Sequence, residues 1–435
     1  SRLLRFVLPC IGTMLFTSIY GIVDGLCVSN FVGKTAFAAV NLIMPLPMLL
    51  GSVGFMLGTG GSAIVGITLG EGDQKKADRY FTLFLLAALV SVSVLAVLGI
   101  VFLRPIAVLL GAKGELLDYA VRYGRILMVS LPTFALQNMF QSFFVTAEKP
   151  HLGFWFTVGA GCTNMVLDVL MVGIWGWGVE GAAIATFISQ LVGGVLPVFY
   201  FIDRSNSSRL HLCKTSFYSK VLRDACINGS SELMTNLSMS LVNILYNYQL
   251  LRLAGENGVA AYGVIMYAAF LFVAVFVGYA VGSAPIVSFH YGARNHTEVH
   301  NLYRKSLRLI AVVAVTLTLA SMFIIPCVAR IFVGYDAELL ALTSRAFRLY
   351  ALSFLIMGFN VYASSFFTAL GDGVTSALIS FLRTLAFQVI AILLLPLLLG
   401  IDGIWLAVTA AELAALAVSA TMLLTKDKVF HYRKA

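Results

Sequence analysis

The fold is decided by stretches such as residues 80–103, YFTLFLLAALVSVSVLAVLGIVFL, which contain no charged side chain. A helix rises about 1.5 Å per residue, so about 20 apolar residues cross the ~30 Å hydrocarbon core of a bilayer. Similar runs recur along the whole chain. Of the 435 residues, 60% are hydrophobic and 11% are charged, whereas roughly a quarter of the residues in soluble proteins are charged. We therefore predict an all-α, multi-pass membrane protein.

Working outward from this stretch gives twelve apolar runs, which we number helix 1 to helix 12 in chain order. Because the first run is long and lacks a cleavage pattern, we interpret it as a spanning helix and not as a signal peptide. The approximate predicted spans are 5–32, 36–69, 80–103, 119–146, 152–174, 181–202, 220–252, 258–290, 302–325, 343–368, 374–398 and 403–424.

Basic residues are distributed unevenly between the two sides of the predicted membrane. An even number of spans places both termini on one side, which we call the terminus side. It collects 19 of the 29 Lys and Arg residues against nine on the other side, and Arg383 lies within a span. The positive-inside rule makes the terminus side cytoplasmic. Topology thus explains the net charge of +9, and no nucleic-acid partner is expected. The loops assigned to this side are 70–79, 147–151, 203–219, 291–301 and 369–373.

An internal repeat appears when the second half is laid on the first so that Gly255 falls on Gly33. This register continues without gaps as far as Gly181 and Gly403, matching loop glycines as well as helix residues, so we infer a duplication. The lobes are predicted at 1–202 and 220–435, joined by a basic linker at 203–219. Six spans per lobe give parallel repeats, an arrangement in which transporters place a pathway between the halves. Further matches are Gly70 with Gly292, Asn138 with Asn360, Thr146 with Thr368, and Gly178 with Gly400.

Polar side chains form stripes with helical spacing on several predicted spans. Lipid cannot satisfy such groups, so the stripes must face each other or water, and each lobe is predicted to have a hydrated interior. The stripes comprise Thr13, Thr17, Tyr20 and Asp24 on helix 1, Ser130, Thr133, Gln137 and Gln141 on helix 4, Asn164 and Asp168 on helix 5, Thr186 and Gln190 on helix 6, Glu232, Asn236, Ser240, Asn243 and Asn247 on helix 7, and Ser353, Asn360 and Ser364 on helix 10.

Two carboxylates stand out because a charge at mid-bilayer costs on the order of 2.5–3.5 kcal/mol. The repeat aligns Asp24 with Tyr246 and Asp168 with Ile390, so the acidic pair belongs to the amino-terminal lobe. Carboxylates among amide and hydroxyl oxygens suit Na⁺, and two neighbouring carboxylates equally suit a bound proton. A purely structural role in tying helices together is the alternative. Glu232, near the end of helix 7, is a weaker candidate, and Glu412 and Arg383 are charges without an assigned role.

The substrate cavity is predicted beside these stripes, where apolar and aromatic walls would bind flat, cationic, amphipathic molecules. Pro45 and Pro47 are expected to bend helix 2. Candidate cavity residues are Tyr20, Met44, Gln137, Phe140, Glu232, Asn236, Asn243, Met266, Tyr267 and Asn360.

No enzymatic motif is present: the sequence contains no P-loop, G-x-S-x-G or H-E-x-x-H. We therefore expect no enzyme and no bound cofactor. Transport without a nucleotide-binding domain is driven by an ion gradient or runs downhill.

Ordered sequence features resemble the MATE family, multidrug and toxic compound extrusion, in its MepA-like bacterial branch. The resemblance covers nearly the full length. It rests on Ile22-Val23-Asp24-Gly25, Phe37-Ala38-Ala39-Val40-Asn41-Leu42, Met44-Pro45, Gly58-Thr59-Gly60-Gly61-Ser62, Gly70-Glu71-Gly72-Asp73, Asn164-x-x-x-Asp168 and Gly178-Val179-Glu180-Gly181-Ala182-Ala183-Ile184-Ala185-Thr186.

The resemblance implies a two-lobe antiporter that expels cationic and amphipathic compounds against inward flow of Na⁺ or H⁺. The family's amino-lobe ion site is similar to what Asp24, Asn164, Asp168 and Thr186 would form, with a further helix 4 ligand at or near Gln141. Here Gln departs from the Asn of some relatives, which leaves the ion's identity open. Some relatives place acidic ligands in the carboxy-terminal lobe, where Glu232 matches one but Asn360 stands in place of a second acid.

The leading hypothesis is a monomeric antiporter in the lipid bilayer that exports small organic cations. A lipid-linked oligosaccharide flippase of the same superfamily is the alternative, but such proteins often have fourteen spans and cationic cavities. An ion channel or a receptor would not need a parallel duplication.

Overall fold

The computed structural model describes residues 2–433, apart from the side chains at positions 29, 34 and 256. The elements in the amino-terminal half are helix 1 (Arg2–Phe31), helix 2 (Lys34–Ile43 and Pro45–Gly70), helix 3 (Gln74–Leu109), helix 4 (Glu115–Thr146), helix 5 (Pro150–Leu167, continued as a π-helix over Asp168–Ile174) and helix 6 (Gly178–Gln190, a π-helical Leu191–Val195, and Leu196–Ile202).

The carboxy-terminal half begins with a short linker helix and repeats the same order of elements. Its elements are the linker helix (Ser219–Asn228), helices 7 and 8 within Ser230–Gly292, helix 9 (His296–Val333), helix 10 (Ala337–Ala351 and Phe354–Ala369), helix 11 (Gly373–Phe381, a π-helical Leu382–Ala386, and Phe387–Leu399), helix 12 (Ile401–Thr425) and a last turn (Asp427–Phe430). Helices 7 and 8 separate at Gly255, where φ is 64° and ψ is −150°. The described residues contain no strand.

Membrane-spanning length and hydrophobicity agree with the predicted all-α membrane fold. Within residues 2–433, nine helices are long and apolar enough to cross a membrane, and helix 10, bent by 45°, makes ten. The remaining two of the twelve, helix 4 and helix 7, carry long polar stripes. Helix 2 is interrupted at Met44, directly before Pro45, as the two prolines predicted.

Two predicted loops are much shorter than expected. Helices 3 and 9 begin at residues 74 and 296, so the loops at 70–79 and 291–301 shrink to a few residues. The Asp73 side chain accepts a 3.1 Å hydrogen bond from the Lys76 amide, and Asn295 caps helix 9 through the Glu298 amide at the same distance. Hydropathy marks where a helix leaves the bilayer, whereas these caps set where it begins.

Backbone geometry repeats between the two halves in the register of the sequence repeat. Gly72 and Arg294 both adopt left-handed φ values, 88° and 55°, just before the two caps. Gly66 faces Ser288 across the lobes, and Gly70 faces Gly292 in the same way. Contacts between equivalent positions are those expected on a pseudo-two-fold axis between parallel repeats.

The lobes pack against each other on the terminus side. A β-carbon on Gly282 would lie 2.8 Å from the Val7 Cα, and one on Gly70 would overlap the Phe289 carbonyl oxygen. Phe6 and Val7 of helix 1 are buried in a hydrophobic cluster made mostly of residues from helices 8 to 12. No solvent-wide gap separates the lobes at these contacts.

Candidate functional site

Helices 1 and 5 bring Asp24 and Asp168 together inside the amino-terminal lobe. Asp168 is 0% exposed and Asp24 is partly buried. Their carboxyl groups lie within hydrogen-bonding range of each other when one carries a proton. The π-helix of helix 5 starts at Asp168. Such a turn shifts the register of the following residues and is frequent at functional sites.

Three of the four carboxylate oxygens of this pair lack a hydrogen-bond donor among the residues that the structure describes. Within the described residues, Asp24 Oδ1 and both carboxylate oxygens of Asp168 are buried without a hydrogen-bond donor, and so is Asn164 Oδ1. The Asn164 Nδ2 donates to Thr186 Oγ1 at 3.3 Å, and Thr186 donates in turn to the Ala182 carbonyl at 3.0 Å. This chain of bonds directs the Asn164 carbonyl away from Thr186. Buried acceptors without donors are costly unless a proton or a cation satisfies them.

A second layer of side chains surrounds the pair. The Tyr20 hydroxyl lies near Asp24 and interacts with the Gln137 side chain. Gly161 leaves room for this ring, because a β-carbon there would lie 2.8 Å from Tyr20 Cδ1. Gly193 admits Gln137 in the same way.

Sequence reasoning missed Tyr123 on helix 4. It is 0% exposed, its hydroxyl has no hydrogen-bond partner among the described residues, and both carboxylates act on it electrostatically. Tyr123 lies about two helical turns before Ser130, so it belongs to the same face as the helix 4 stripe. Extending that stripe by two turns would have found it.

A partly open cavity, with ≈ 410 Å³ of empty space that includes open solvent, lies on the terminus side of this site. Thr13, Gln137, Phe140 and Gln141 line it, together with residues from helices 5 and 6 and Val281 of helix 8 in the other lobe. Gln141 is therefore placed on the cavity wall. Within the described residues no hydrogen bond joins it to either carboxyl group, so its predicted role as an ion ligand gains no support from the geometry.

The MatE family model matches the chain twice, over residues 9–170 and 233–394. The chain belongs to the MatE family. One match falls in each half, and the first contains both Asp24 and Asp168 of the candidate site.

Named relatives of this MATE protein are multidrug exporters. The Multidrug export protein MepA of Staphylococcus saprophyticus is 21% identical over 433 residues, covering 98% of this chain and 94% of the relative. The Staphylococcus aureus MepA (strain MSSA476) is 21% identical over 431 residues, covering 99% and 94%.

Solved MATE structures share the fold. One described as an outward-facing conformation of a multidrug resistance MATE family transporter has a TM-score of 0.93 at 22% identity, covering 99% of this chain and 96% of that one. A MOP superfamily transporter from Pyrococcus furiosus, described as having a binding pocket of reverse polarity, has a TM-score of 0.92 at 22% identity, covering 100% and 96%.

In the carboxy-terminal lobe of this MATE chain, the charges without a role form a buried pair. Arg383 Nη1 donates to Glu412 Oε1 at 3.0 Å, and their side chains are 13% and 1% exposed. Asn360 Nδ2 donates to Glu412 Oε2 at 2.7 Å, and Ser419 donates to Asn360 Oδ1 at 3.0 Å. Asn360, proposed from sequence as a cavity residue, is 0% exposed and has its amide engaged within this cluster. Glu232 is close enough to Arg383 for the two charges to interact.

Three other candidate cavity residues are dispersed. Met44 is half-buried at the break in helix 2, and Met266 packs against the core of the carboxy-terminal lobe. Tyr267 is 43% exposed and stacks on Phe332 of helix 9 at 6.2 Å. None of the three lines the ≈ 410 Å³ cavity.

The remaining candidates lie on helix 7. Asn236 donates to the Glu232 carbonyl at 2.9 Å, one turn earlier on the same helix. Asn243 is exposed. Neither asparagine lines the ≈ 410 Å³ cavity, so the helix 7 stripe is not part of its wall.

Proposed function

We propose that this MATE protein exports cationic, amphipathic small molecules in exchange for an inward flow of Na⁺ or H⁺. The facing carboxyl groups of Asp24 and Asp168 carry the proposal, because four buried oxygens of Asp24, Asn164 and Asp168 lack donors within the described residues. Efflux of drugs is supported by the MepA relatives, which are named multidrug export proteins.

Electrostatics explains why the pair would hold a cation. Two ionised carboxylates about 4 Å apart repel by about 4 kcal/mol at an effective dielectric constant near 20. A proton shared between Asp24 and Asp168, or a Na⁺ held by their oxygens and by Asn164, removes this repulsion. Na⁺ is coordinated by carboxylate, amide and hydroxyl oxygens alike, and the side chains of this site include all three kinds. The pair therefore suits either ion.

Coupling follows if the ion changes the balance between two arrangements of the lobes. The terminus side, which we assign to the cytoplasm of a bacterial cell on the positive-inside rule, is closed by packed glycines in this structure. An ion entering from the opposite side reaches Asp24 and Asp168 within the amino-terminal lobe. Its binding there would favour release of the drug outward and the return of the lobes to the other of their two arrangements. The site is complete within one chain, so we propose that the monomer works alone and without catalysis.

The proposal is tested in proteoliposomes with ethidium as the fluorescent cation, under a Na⁺ gradient and a pH gradient imposed separately. We expect Asp24→Asn and Asp168→Asn each to abolish ion-driven efflux while the purified variants stay folded. Asp118→Asn, the same change at an exposed acid of helix 4, is the matched control and should transport normally. Normal efflux by either buried variant would remove the ion site from the amino-terminal lobe. Loss in Glu232→Gln as complete as in Asp24→Asn would move it to the other lobe.

The flippase alternative predicts another result. A flippase for pyrophosphate-linked lipids needs cationic side chains to bind its substrate. The candidate site in the amino-terminal lobe has two acids and no Lys or Arg among the interacting residues described above. Ethidium efflux that follows an imposed ion gradient would exclude this alternative.

A further inference from the structure

The linker helix (Ser219–Asn228) ends between the two lobes. Asn228 is 2% exposed, and its Nδ2 donates to the Gly60 carbonyl of helix 2 at 3.3 Å and to the Thr368 carbonyl of helix 10 at 2.9 Å. A β-carbon on Gly373, at the start of helix 11, would overlap the backbone of Asn228. Both lobes therefore hold this end of the linker helix.

The chain just before the linker helix runs along helix 3. The Thr215 hydroxyl donates to the Arg79 carbonyl at 2.9 Å, and the rings of Tyr218 and Tyr80 lie 5.4 Å apart. Tyr80 is the first residue of the apolar run 80–103. A membrane helix enters the hydrocarbon core where its charged residues end and its apolar run begins. The linker thus passes helix 3 at the level of the lipid headgroups on the terminus side.

Two large apolar side chains of the linker are exposed beside this level. Phe217 is 75% exposed and Ile227 is 42% exposed. The other face of the linker helix is covered, because Leu222 and Ala225 pack in a hydrophobic cluster of the amino-terminal lobe. Exposed Phe and Leu-like side chains on a helix of this kind are typical of segments that lie in the headgroup region of a bilayer.

Cations flank the two apolar side chains. Residues 214–227 contain three basic residues, and Asp224 is the only acid among them. Asp224 lies 3.6 Å from Arg223, at a side chain that is 68% exposed. The charge of this segment is therefore complementary to anionic lipid, and each Lys or Arg at such a surface strengthens binding about fivefold. We call the exposed residues the linker surface: Lys214, Phe217, Lys220, Arg223 and Ile227.

We propose that the linker surface is a docking site for anionic phospholipids of the terminus-side leaflet. Its cations bind the lipid phosphates, while Phe217 and Ile227 lie at the boundary with the acyl chains. Because Asn228 is bonded to both lobes, a lipid docked here connects the leaflet to the boundary between the lobes. The inference concerns a lipid partner and does not depend on which ion drives export.

A tryptophan at position 217 reports lipid contact directly. Phe217→Trp keeps an aromatic side chain and adds one tryptophan to the four of the chain, so its fluorescence is the difference between variant and parent. Full-length protein is reconstituted in phosphatidylcholine vesicles. Increasing fractions of phosphatidylglycerol or of phosphatidylcholine, brominated on the acyl chains close to the headgroup, are then mixed in. Bromine quenches tryptophan on contact, so the fraction at half-quenching compares the affinity of the surface for the two headgroups.

We expect half-quenching at a fraction of phosphatidylglycerol at least fivefold lower than that of phosphatidylcholine. The test variant is Lys220→Gln with Arg223→Gln in the Phe217→Trp protein, which leaves Lys214 against Asp224. Its preference for phosphatidylglycerol should fall below twofold.

The matched control is Lys305→Gln with Arg308→Gln in the same Phe217→Trp protein. It removes two exposed cations of helix 9, outside the linker surface, and should keep the preference. Circular dichroism and size-exclusion chromatography show that each variant is folded before it is reconstituted.

Several results would overturn the proposal. Absence of quenching by either brominated lipid would place Phe217 outside the bilayer. Equal quenching by both would leave an apolar contact without recognition of the headgroup. A loss of preference in the helix 9 control as large as in the test variant would assign the effect to the total charge of the protein. Loss of the preference on adding soluble glycerol phosphate would show that a free phosphate suffices. No drug or ion gradient is used, so the outcome is independent of the proposed ion exchange.

Discussion

The buried pair of Arg383 and Glu412 makes a quantitative prediction about the stability of the carboxy-terminal lobe. The change is Glu412→Gln, which keeps the size of the side chain but removes its charge. Glu412 is 1% exposed and accepts from Arg383 at 3.0 Å and from Asn360 at 2.7 Å. The variant removes the carboxylate bonded to a guanidinium that is 13% exposed, and leaves only the unbonded Glu232 to interact with that charge.

The expected loss follows from burial. Removing one partner of a buried ion pair costs about 3–5 kcal/mol, because the remaining charge is desolvated and unpaired. Replacing both partners by apolar residues of similar size is often neutral or stabilising. We therefore expect Glu412→Gln to lower the free energy of unfolding by about 3–5 kcal/mol. The double variant Arg383→Met with Glu412→Leu should lose less stability than Glu412→Gln, because neither charge of the bonded pair then remains.

The free energy of unfolding is measured by titrating the protein in mixed micelles with sodium dodecyl sulfate. The control is Asp402→Asn, which breaks the Arg345–Asp402 pair of 2.6 Å, whose side chains are 69% and 29% exposed. Such an exposed pair is worth at most about 1 kcal/mol. Losses of the same size in Glu412→Gln and Asp402→Asn would refute the reasoning, because burial is the feature that separates the two pairs.

Further predictions concern the lobe interface, the ion site and the carboxy-terminal tail. Gly70→Val should reduce ethidium efflux at least tenfold, because its side chain would overlap the Phe289 carbonyl, whereas Gly72→Asn, at an open position with φ 88°, should transport normally. Tyr123→Phe should leave stability within about 1 kcal/mol, since the hydroxyl has no partner among the described residues, but weaken the apparent ion affinity about fivefold in transport assays. Tyr432→Ala, which removes a ring that is 0% exposed, should lower stability by about 3–5 kcal/mol in the same titration, and a loss below about 1 kcal/mol would show that the tail is not docked in the membrane.

The sequence was sufficient for the architecture because hydrophobic runs and the repeat are properties of the chain itself. Residues 80–103 mark a span without any knowledge of its neighbours. The caps at Asp73 and Asn295 were missed because hydropathy identifies only the part of a helix that lies in the bilayer. Helices 3 and 9 begin several residues before their apolar runs. The stripe on helix 1 predicted that Asp24 faces the interior, and the structure brings it together with Asp168.

Contacts between segments far apart in the chain could not be predicted from the sequence. The pairing of Arg383 with Glu412 depends on how helices 11 and 12 pack, and a π-helical segment over Leu382–Ala386 sets the direction of the arginine. No local pattern predicts that turn. Asn360 was assigned to a cavity from its spacing alone, but its amide is engaged by Glu412 and Ser419. Spacing identifies a face of a helix and cannot identify what lies opposite.

The two lobes share one fold but differ in whether their buried acids are paired with a basic side chain. In the register of the repeat, Arg383 and Glu412 fall on Gly161 and Gln190, so the amino-terminal lobe lacks the internal ion pair. Gly161 is the residue that makes room for Tyr20, and an arginine side chain there would occupy the place of that ring. In the carboxy-terminal lobe the Arg383 guanidinium is bonded to Glu412 and also interacts with Glu232, so both acids have a fixed cationic partner. Among the described residues no Lys or Arg is bonded to Asp24 or Asp168 of the amino-terminal lobe, and the proposed coupling cation would supply the missing charge. We therefore expect a coupling ion to act on the amino-terminal lobe, where the described residues leave the two buried acids unpaired.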